Sequence, residues 1–415
     1  MHTLLLSLIA FAFVLIVIED IVHINKAKST LFIGTLVWLL AYIFPEAGVG
    51  TAEINHSLNE NLLDIATLWL FLMAAMTFVA YLNQQGLITQ LVYRMLPRQL
   101  TQKQLMLLMA LLALLFSSLA DNITASLIML SLLASLKLSD KEMLKFAALL
   151  VFAVNSGGVS LITGDVTTLM IFLAGKVTIT DLFYLIPSAL CGIFALVLVL
   201  MPGCEGTLRI PQFKRPIAPG DKVMAFLFVL TIFSTLTLSV LYQVPPVLTF
   251  LFGLSLMFMV YHFLQQQHTE RDHILEFVRD IEFDTLLFFL GVLLLVGMLK
   301  ELSVLDQLPE LYTLMPVWAA NYFVGLLSAM VDNVPLTAAI LKSGVEMSKA
   351  DWLGLTYATG VGGSLLIVGS AAGVIAMSKI ANLTFLSYMR FFHYLLWAYS
   401  VGFALVWLTG QLFFS

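Results

Sequence analysis

Apolar runs of membrane-crossing length recur from one end of this chain to the other, and no other feature limits its fold as strongly. A helix that spans lipid needs about 20 consecutive apolar residues, and runs of that order lie at 3–18, 31–44, 62–82, 143–173, 181–201, 223–242, 246–264, 283–299, 351–378 and 388–410. They are continuous rather than alternating, which excludes the closed β-barrel, the other structure that pairs every backbone group inside a bilayer. Only 11% of the residues are charged and 60% are hydrophobic, against roughly 25% charged in a soluble domain. A water-soluble globule is excluded. The expected class is an all-α polytopic membrane protein with about ten transmembrane helices.

Two further apolar segments, 104–136 and 316–341, are interrupted by the polar clusters ADNITAS (120–126) and VDNVPLT (331–337). Each reads as a re-entrant hairpin. The alternative is a single kinked span, and the basic residues argue against it. If both segments turn back, sixteen of the 20 Lys and Arg fall on one side, leaving Lys176, Lys300, Lys342 and Lys349 on the other. That is the bias of cytoplasmic loops, and it places the N-terminus outside. Residues 202–222 then form a cytoplasmic linker between two repeats, 1–201 and 223–415. Each repeat holds three spans, a hairpin (104–136; 316–341), a broken Gly-rich helix (143–173; 351–378) and a closing span. Three is odd, so the second repeat is inserted upside down. Asp121-Asn122 matches Asp332-Asn333, followed by Thr124 or Thr337, and GGVSLITGD (157–165) aligns with GGSLLIVGS (362–370). Inverted repeats with Gly-interrupted spans at corresponding places mark a secondary transporter. Broken backbone at membrane depth is tolerated only where it is buried in protein or lines a cavity, so the breaks point to the site.

Asp121, Asp165 and Asp332 fall inside apolar segments, where an ionised carboxylate costs about 3 kcal/mol or more. Each could cap a half-helix N-terminus. No Lys or Arg lies in the cores of the broken segments, so a transported cation or a proton is expected to neutralise these acids. Neutral oxygen donors accompany them: Asn122, Thr124, Asn155, Ser156, Thr163, Thr167 and Thr168 in the first repeat, Asn333, Thr337, Thr359, Ser364 and Ser370 in the second. Carboxylates, amides and hydroxyls are hard ligands suited to a hard ion, and Na⁺ at Asp121, Asp165 and Asp332 is the expected arrangement. Glu19 and His23, at the inner end of the first span, are candidate pH sensors, since His titrates near neutrality; a solvated helix end is the plainer alternative. Asp64 and Asp284 read as caps or interfacial charges.

Other chemistries find little support. Gly164-Asp165 sits in ITGD, which lacks the first Gly of the GxGD intramembrane aspartyl proteases. Cys191 and Cys204 stand singly, the seven histidines are scattered without HExxH, and the net charge of −5 comes with no basic stretch for nucleic acid. No cofactor, no enzymatic constellation and no nucleic-acid partner are expected; lipid is.

In combination, ADNIT, VDNVPLT, NSGGVSLITGDVTTL (155–169), GVGGSLLIVGSAAG (360–373) and IEDIVHINKAKS (18–29) resemble the NhaD-type sodium/proton antiporters of the ion transporter superfamily. The resemblance implies electrogenic exchange of Na⁺ or Li⁺ for protons, with Asp121, Asn122, Thr124, Asn155, Asp165, Thr167, Thr168, Asp332, Asn333 and Ser370 carried over. It implies a bacterial inner (plasma) membrane protein, and a homodimer in which a transport domain of both hairpins and both Gly-rich spans slides against a scaffold. Some relatives carry an additional N-terminal helix, which this chain is expected to lack. The superfamily's dicarboxylate transporters have Ser-Asn-Thr at the hairpin tips. Here Asp stands in the Ser place, and the added charge should repel an anionic substrate and favour a cation. Sodium-coupled carboxylate uptake is the nearest alternative, arsenite efflux a poorer one, and a membrane-embedded enzyme or complex subunit the alternative of a different class.

Overall fold

The computed structural model of the chain describes residues 1–17, 19, 25–45, 50–136, 138–210, 217–265 and 275–414. The principal helices are α1 (His2–Val17), α2 (Lys26–Ile43), α3 (Thr51–Gln84), α4 (Gln102–Leu119), α5 (Asn122–Ala134), α6 (Asp140–Gly158), α7 (Val166–Leu173) and α8 (Leu185–Leu200). They continue as α9 (Pro219–Tyr242), α10 (Pro246–Gln265), α11 (Phe283–Glu301), α12 (Val317–Ser328), α13 (Asn333–Lys342), α14 (Lys349–Gly362), α15 (Ala371–Lys379) and α16 (Phe392–Phe413). Among the described residues, 8 helices are long and apolar enough to cross a membrane. α4 is one of them, although the sequence reads it as one arm of a hairpin. α1, at 16 residues, falls short of that length.

Local chemistry sets the element ends. Thr101 and Gln104 form a reciprocal capping box at the start of α4, and Ser139 and Glu142 form another at α6; in each, two of the orphan N–H groups at a helix start find side-chain acceptors. α9 begins at Pro219, inside the expected linker 202–222, because proline presets the first helical φ and lacks only an N–H that would be unsatisfied there. The stretch 202–222 also holds a strand. Thr207–Arg209 pairs antiparallel with Gln99–Thr101, a three-residue ladder too short to leave a periodicity in sequence.

The two Gly-rich runs do break. α6 ends at Gly158 and α7 starts at Val166; α14 ends at Gly362 and α15 starts at Ala371. The same contacts recur around both. Ser117 Oγ donates to Val154 O (2.6 Å) and Ser328 Oγ to Thr359 O (2.8 Å). Gly164 N donates to Leu161 O and Gly369 N to Leu366 O. Each serine ties the helix before an Asp-Asn pair, α4 or α12, to the broken helix that follows, α6 or α14.

Packing groups most of the helices into two bundles, which α13 joins by lying on α11 as well as on α7 and α14. In the first, α2 lies along α11, α3 packs on α10 and α11, and α9 packs on α10. Trp38 Nε1 donates to Leu294 O (3.0 Å) and Asn61 Nδ2 to Leu293 O (3.2 Å), so α11's carbonyls are partnered from α2 and α3. In the second bundle, α4 and α5 pack on α6, α12 on α14, and α8 on α16. Short half-helices from the two halves of the chain also pack together: α15 on α5, and α7 on α13.

Candidate functional site

Four half-helices begin within this second bundle, and each begins at a polar residue: Asp121 before α5, Asp165 before α7, Asp332 before α13 and Ser370 before α15. A helix start leaves N–H groups without intrahelical partners and carries partial positive charge, so acids and hydroxyls are favoured there. Asp121 caps Thr124 N (2.7 Å), and Thr124's hydroxyl donates to its other oxygen (2.9 Å). Asp332 caps Val334 N, and Ser370 caps Gly373 N. Asp165 makes no such cap. Its Oδ2 instead accepts from Thr167 Oγ1 (2.9 Å) and from Asn333 Nδ2 (3.2 Å), the latter reaching across from the start of α13.

The four starts converge on one cavity of about 360 Å³. Asp121, Asn122, Asn155, Thr163, Asp165, Asp332, Asn333 and Ser370 line it from the second bundle. Glu19, Asn25, Lys26, Glu282, Asp284 and Thr285 line it from the first, with Phe288 and Phe289 closing an apolar wall. The cavity therefore lies at the junction of the bundles.

Asn155 is fully buried. Its Nδ2 donates to Val151 O (2.8 Å) and to Ser370 Oγ (3.0 Å), while its Oδ1 has no partner among the described residues. An unpaired buried acceptor costs about 1–3 kcal/mol, a cost relieved if a positive group visits. The aligned position in the second half of the chain is Gly360, where an added Cβ would collide with Val159 Cγ1 and stand 3.3 Å from Asp165 Oδ2. Val159 leaves no space for a side chain there, so the second half offers no equivalent of Asn155. Asn122 acts as a staple. With its amide nitrogen toward Gly164 O (3.1 Å), Val154 O (3.3 Å) and Ser117 Oγ (2.6 Å), it pins the tip at Asp121 to the break at Gly164.

Several residues expected at the site stand behind the wall. Thr124 and Thr167 reach it only through the carboxylates they hold. Thr337 and Ser364 bond back to their own helices, at Asn333 O and Val361 O, and Thr168 faces Gly158 O. Such back-bonding satisfies a hydroxyl that would otherwise be buried unpaired. The three aspartates share the cavity without forming a joint metal cluster: among the described residues no group of three or more His, Cys, Asp or Glu is placed to hold an ion together. Each acid sits on a different helix end. Glu19 lies on the cavity, accepting from Lys26 N (3.0 Å); His23 lies outside the described residues.

The sequence pattern misses Glu282, Asn25, Lys26 and Thr285, and takes Asp284 for a cap. All sit next to ends of apolar runs, where charges ordinarily face water, and nothing local marks them as inward. Lys26 matters most. Counted in the sequence among cytoplasmic flanking cations, it places Nζ 3.1 Å from Asp332 Oδ2. A base does meet one of the acids, and it arrives from α2 rather than from a broken segment.

A family model described as citrate transporter, CitMHS, matches residues 13–362. The chain is 32% identical over 439 residues to the Na(+)/H(+) antiporter NhaD of Vibrio cholerae, across 96% of this chain and 90% of that one. It is 30% identical over 422 residues to NhaD of Halomonas elongata, across 92% and 83%, and 29% identical to sodium/proton antiporter 2 of Arabidopsis thaliana, across 92% and 93%. Among solved structures, the YdaH transporter of Alcanivorax borkumensis aligns with a TM-score of 0.58 over 94% of this chain and 99% of that one, at 12% identity. That likeness concerns the fold alone.

Proposed function

This chain belongs to the CitMHS citrate transporter family and to the NhaD-type sodium/proton antiporters, and we propose that it exchanges Na⁺ or Li⁺ for protons across the membrane it spans. It is a transporter rather than an enzyme, and the ions are its substrates. One observation carries the reading: Asp165 is a buried carboxylate met by neutral donors, beside the unpartnered oxygen of Asn155 and at the meeting point of four half-helix starts. A carboxylate and an amide oxygen in a sheltered cavity suit a hard monovalent cation. Protonation of the same carboxylate removes that cation's main ligand, so ion and proton compete and their fluxes couple.

Asp121 and Asp332, with Asn122, Asn333 and Ser370, complete the site, and Thr124 and Thr167 hold its carboxylates. The two bundles move relative to one another, elevator-fashion, with the second carrying the half-helices and the first static. α9, the least buried of the eight helices long enough to cross a membrane among the described residues, offers a face for lipid or for a second copy in a homodimer. The chain lies in a bacterial inner membrane with its N-terminus outside.

The cavity's charge bears on the family's other substrate. Glu19, Asp121, Asp165, Glu282, Asp284 and Asp332 face one lysine among the described lining residues, and that field favours cations over a citrate-like anion. In vesicles holding the purified chain and a pH probe, Na⁺ and Li⁺ should dissipate an imposed pH gradient saturably. Sodium-dependent accumulation of a carboxylate without proton movement would establish the alternative instead. In the same assay Asn155→Ala should raise the half-saturating Na⁺ concentration about tenfold, since loss of one oxygen ligand is on the order of 1.4 kcal/mol. An unchanged value would remove Asn155 from the ion's coordination.

A further inference from the structure

We propose that Lys26 is a tethered competitor of the transported cation: its ammonium occupies Asp332 when no ion is bound, and Na⁺ must displace it to use that carboxylate. The inference rests on the exchange reading above and adds to it a residue that sets cation affinity and holds the empty site in place. Lys26 Nζ lies 3.1 Å from Asp332 Oδ2, with the two side chains 29% and 18% exposed. The ammonium also lies 4.6 Å from the centroid of the Phe288 ring. Lysine and phenylalanine belong to the first bundle, the aspartate to the second, so the pair crosses the junction where the cavity lies.

The matched acid Asp121 is held differently: both of its oxygens accept from Thr124, one from the backbone N–H and one from the hydroxyl. The two tips therefore differ in charge although their sequences agree. Ammonium and Na⁺ are both monovalent and both seek the same hard oxygen. They exclude one another at Asp332 without any need for a distant conformational signal. A displaced ammonium would remain among acids, because Glu19, Glu282 and Asp284 line the same wall; Asp284 accepts from Asn25 Nδ2 (3.0 Å). That keeps the cost of displacement low enough for an alkali cation to meet. While the pair persists, it ties α2 to the start of α13 across the cavity.

The test is equilibrium binding of radioactive sodium to the purified full-length chain, which requires no transport. Lys26→Met should lower the half-saturating Na⁺ concentration about tenfold, because the competitor is gone. Asp332→Asn should raise it about tenfold, because an uncompensated ammonium then faces the ion. Lys26→Arg, which keeps a cation on the same tether, should stay well above Lys26→Met. Opposite signs for the two neutralising variants are the signature of competition. Weaker or unchanged sodium binding in Lys26→Met would overturn the proposal, as would equal binding in the Met and Arg variants. If Lys26→Met does not yield folded protein, the contrast between Lys26→Arg and Asp332→Asn decides: both raising the constant alike would leave Lys26 a purely structural tether and refute the idea. Failure of the exchange reading would show separately, as wild-type vesicles that bind sodium yet move no protons.

Discussion

Asp165→Asn should abolish sodium-dependent proton flux, lowering it at least about 100-fold in vesicles while the protein still folds. The magnitude follows from the chemistry removed. The asparagine can neither bind nor release a proton at neutral pH, so one of the exchanged species loses its carrier, and a residual of 1% corresponds to about 2.7 kcal/mol. The fold should survive because the variant is nearly isosteric and keeps the oxygen that accepts from both Thr167 Oγ1 and Asn333 Nδ2. The measurement pairs flux with a thermal melt in detergent, so that loss of exchange is read on folded protein. Substantial exchange in a folded Asp165→Asn protein would remove this carboxylate from the mechanism. Neutralising Asp332 tests a different thing, since its partner Lys26 would be left charged in the cavity.

Gly164→Ala and Gly369→Ala should fail together. A Cβ at Gly164 would stand 2.7 Å from Gly158 O and 2.9 Å from Ser117 O. One at Gly369 would stand 2.5 Å from Ala329 O and 2.6 Å from Gly363 O. These are backbone atoms at the end of the helix before each break and of the helix beside it, α4 or α12, and neither swings aside as a side chain would. Relief requires that neighbouring helix to move away from the break. At Gly164 that strains the Thr163 Oγ1 bond to Ser118 O (2.7 Å) and the Asn122 bond to Gly164 O, which position Asp121 against Asp165. Overpacking of this kind costs about 1–3 kcal/mol. We expect a lowered melting temperature and near-complete loss of exchange in both variants, by the same physical route. Wild-type stability in either would mean that the break relaxes freely and that glycine there serves another purpose.

Much of the arrangement is legible because lipid removes alternatives. Apolar runs had to be helices, and most of their boundaries fall within a few residues of the observed ones; α3, which starts at Thr51 rather than 62, runs on through polar residues that a hydropathy profile discards. The breaks at 159–165 and 363–370 are visible because glycine weakens a helix and polar residues sit poorly in lipid, so their clustering within an apolar run marks where the helix stops. The candidate acids are legible for a related reason: a carboxylate in an apolar segment needs a neutralising partner. Hydroxyls are less legible. Thr337 and Ser364 look like Thr163 and Ser370 in sequence, yet the first two are satisfied by their own helices and the last two face the cavity. Which way a hydroxyl turns depends on the helix phase and on the neighbour across the packing.

A helical membrane fold, its broken helices and three acids inside apolar segments could all be read along the chain, because each follows from what a bilayer forbids within a single stretch of residues. Packing alone set those aspartates apart on one cavity wall, brought Asn155 to Ser370 there, and carried Lys26 to Asp332 from a helix some 300 residues away in the chain. A charge finds its partner by distance in space, and residues that flank a span carry no local mark of whether the fold will turn them toward water or toward an acid.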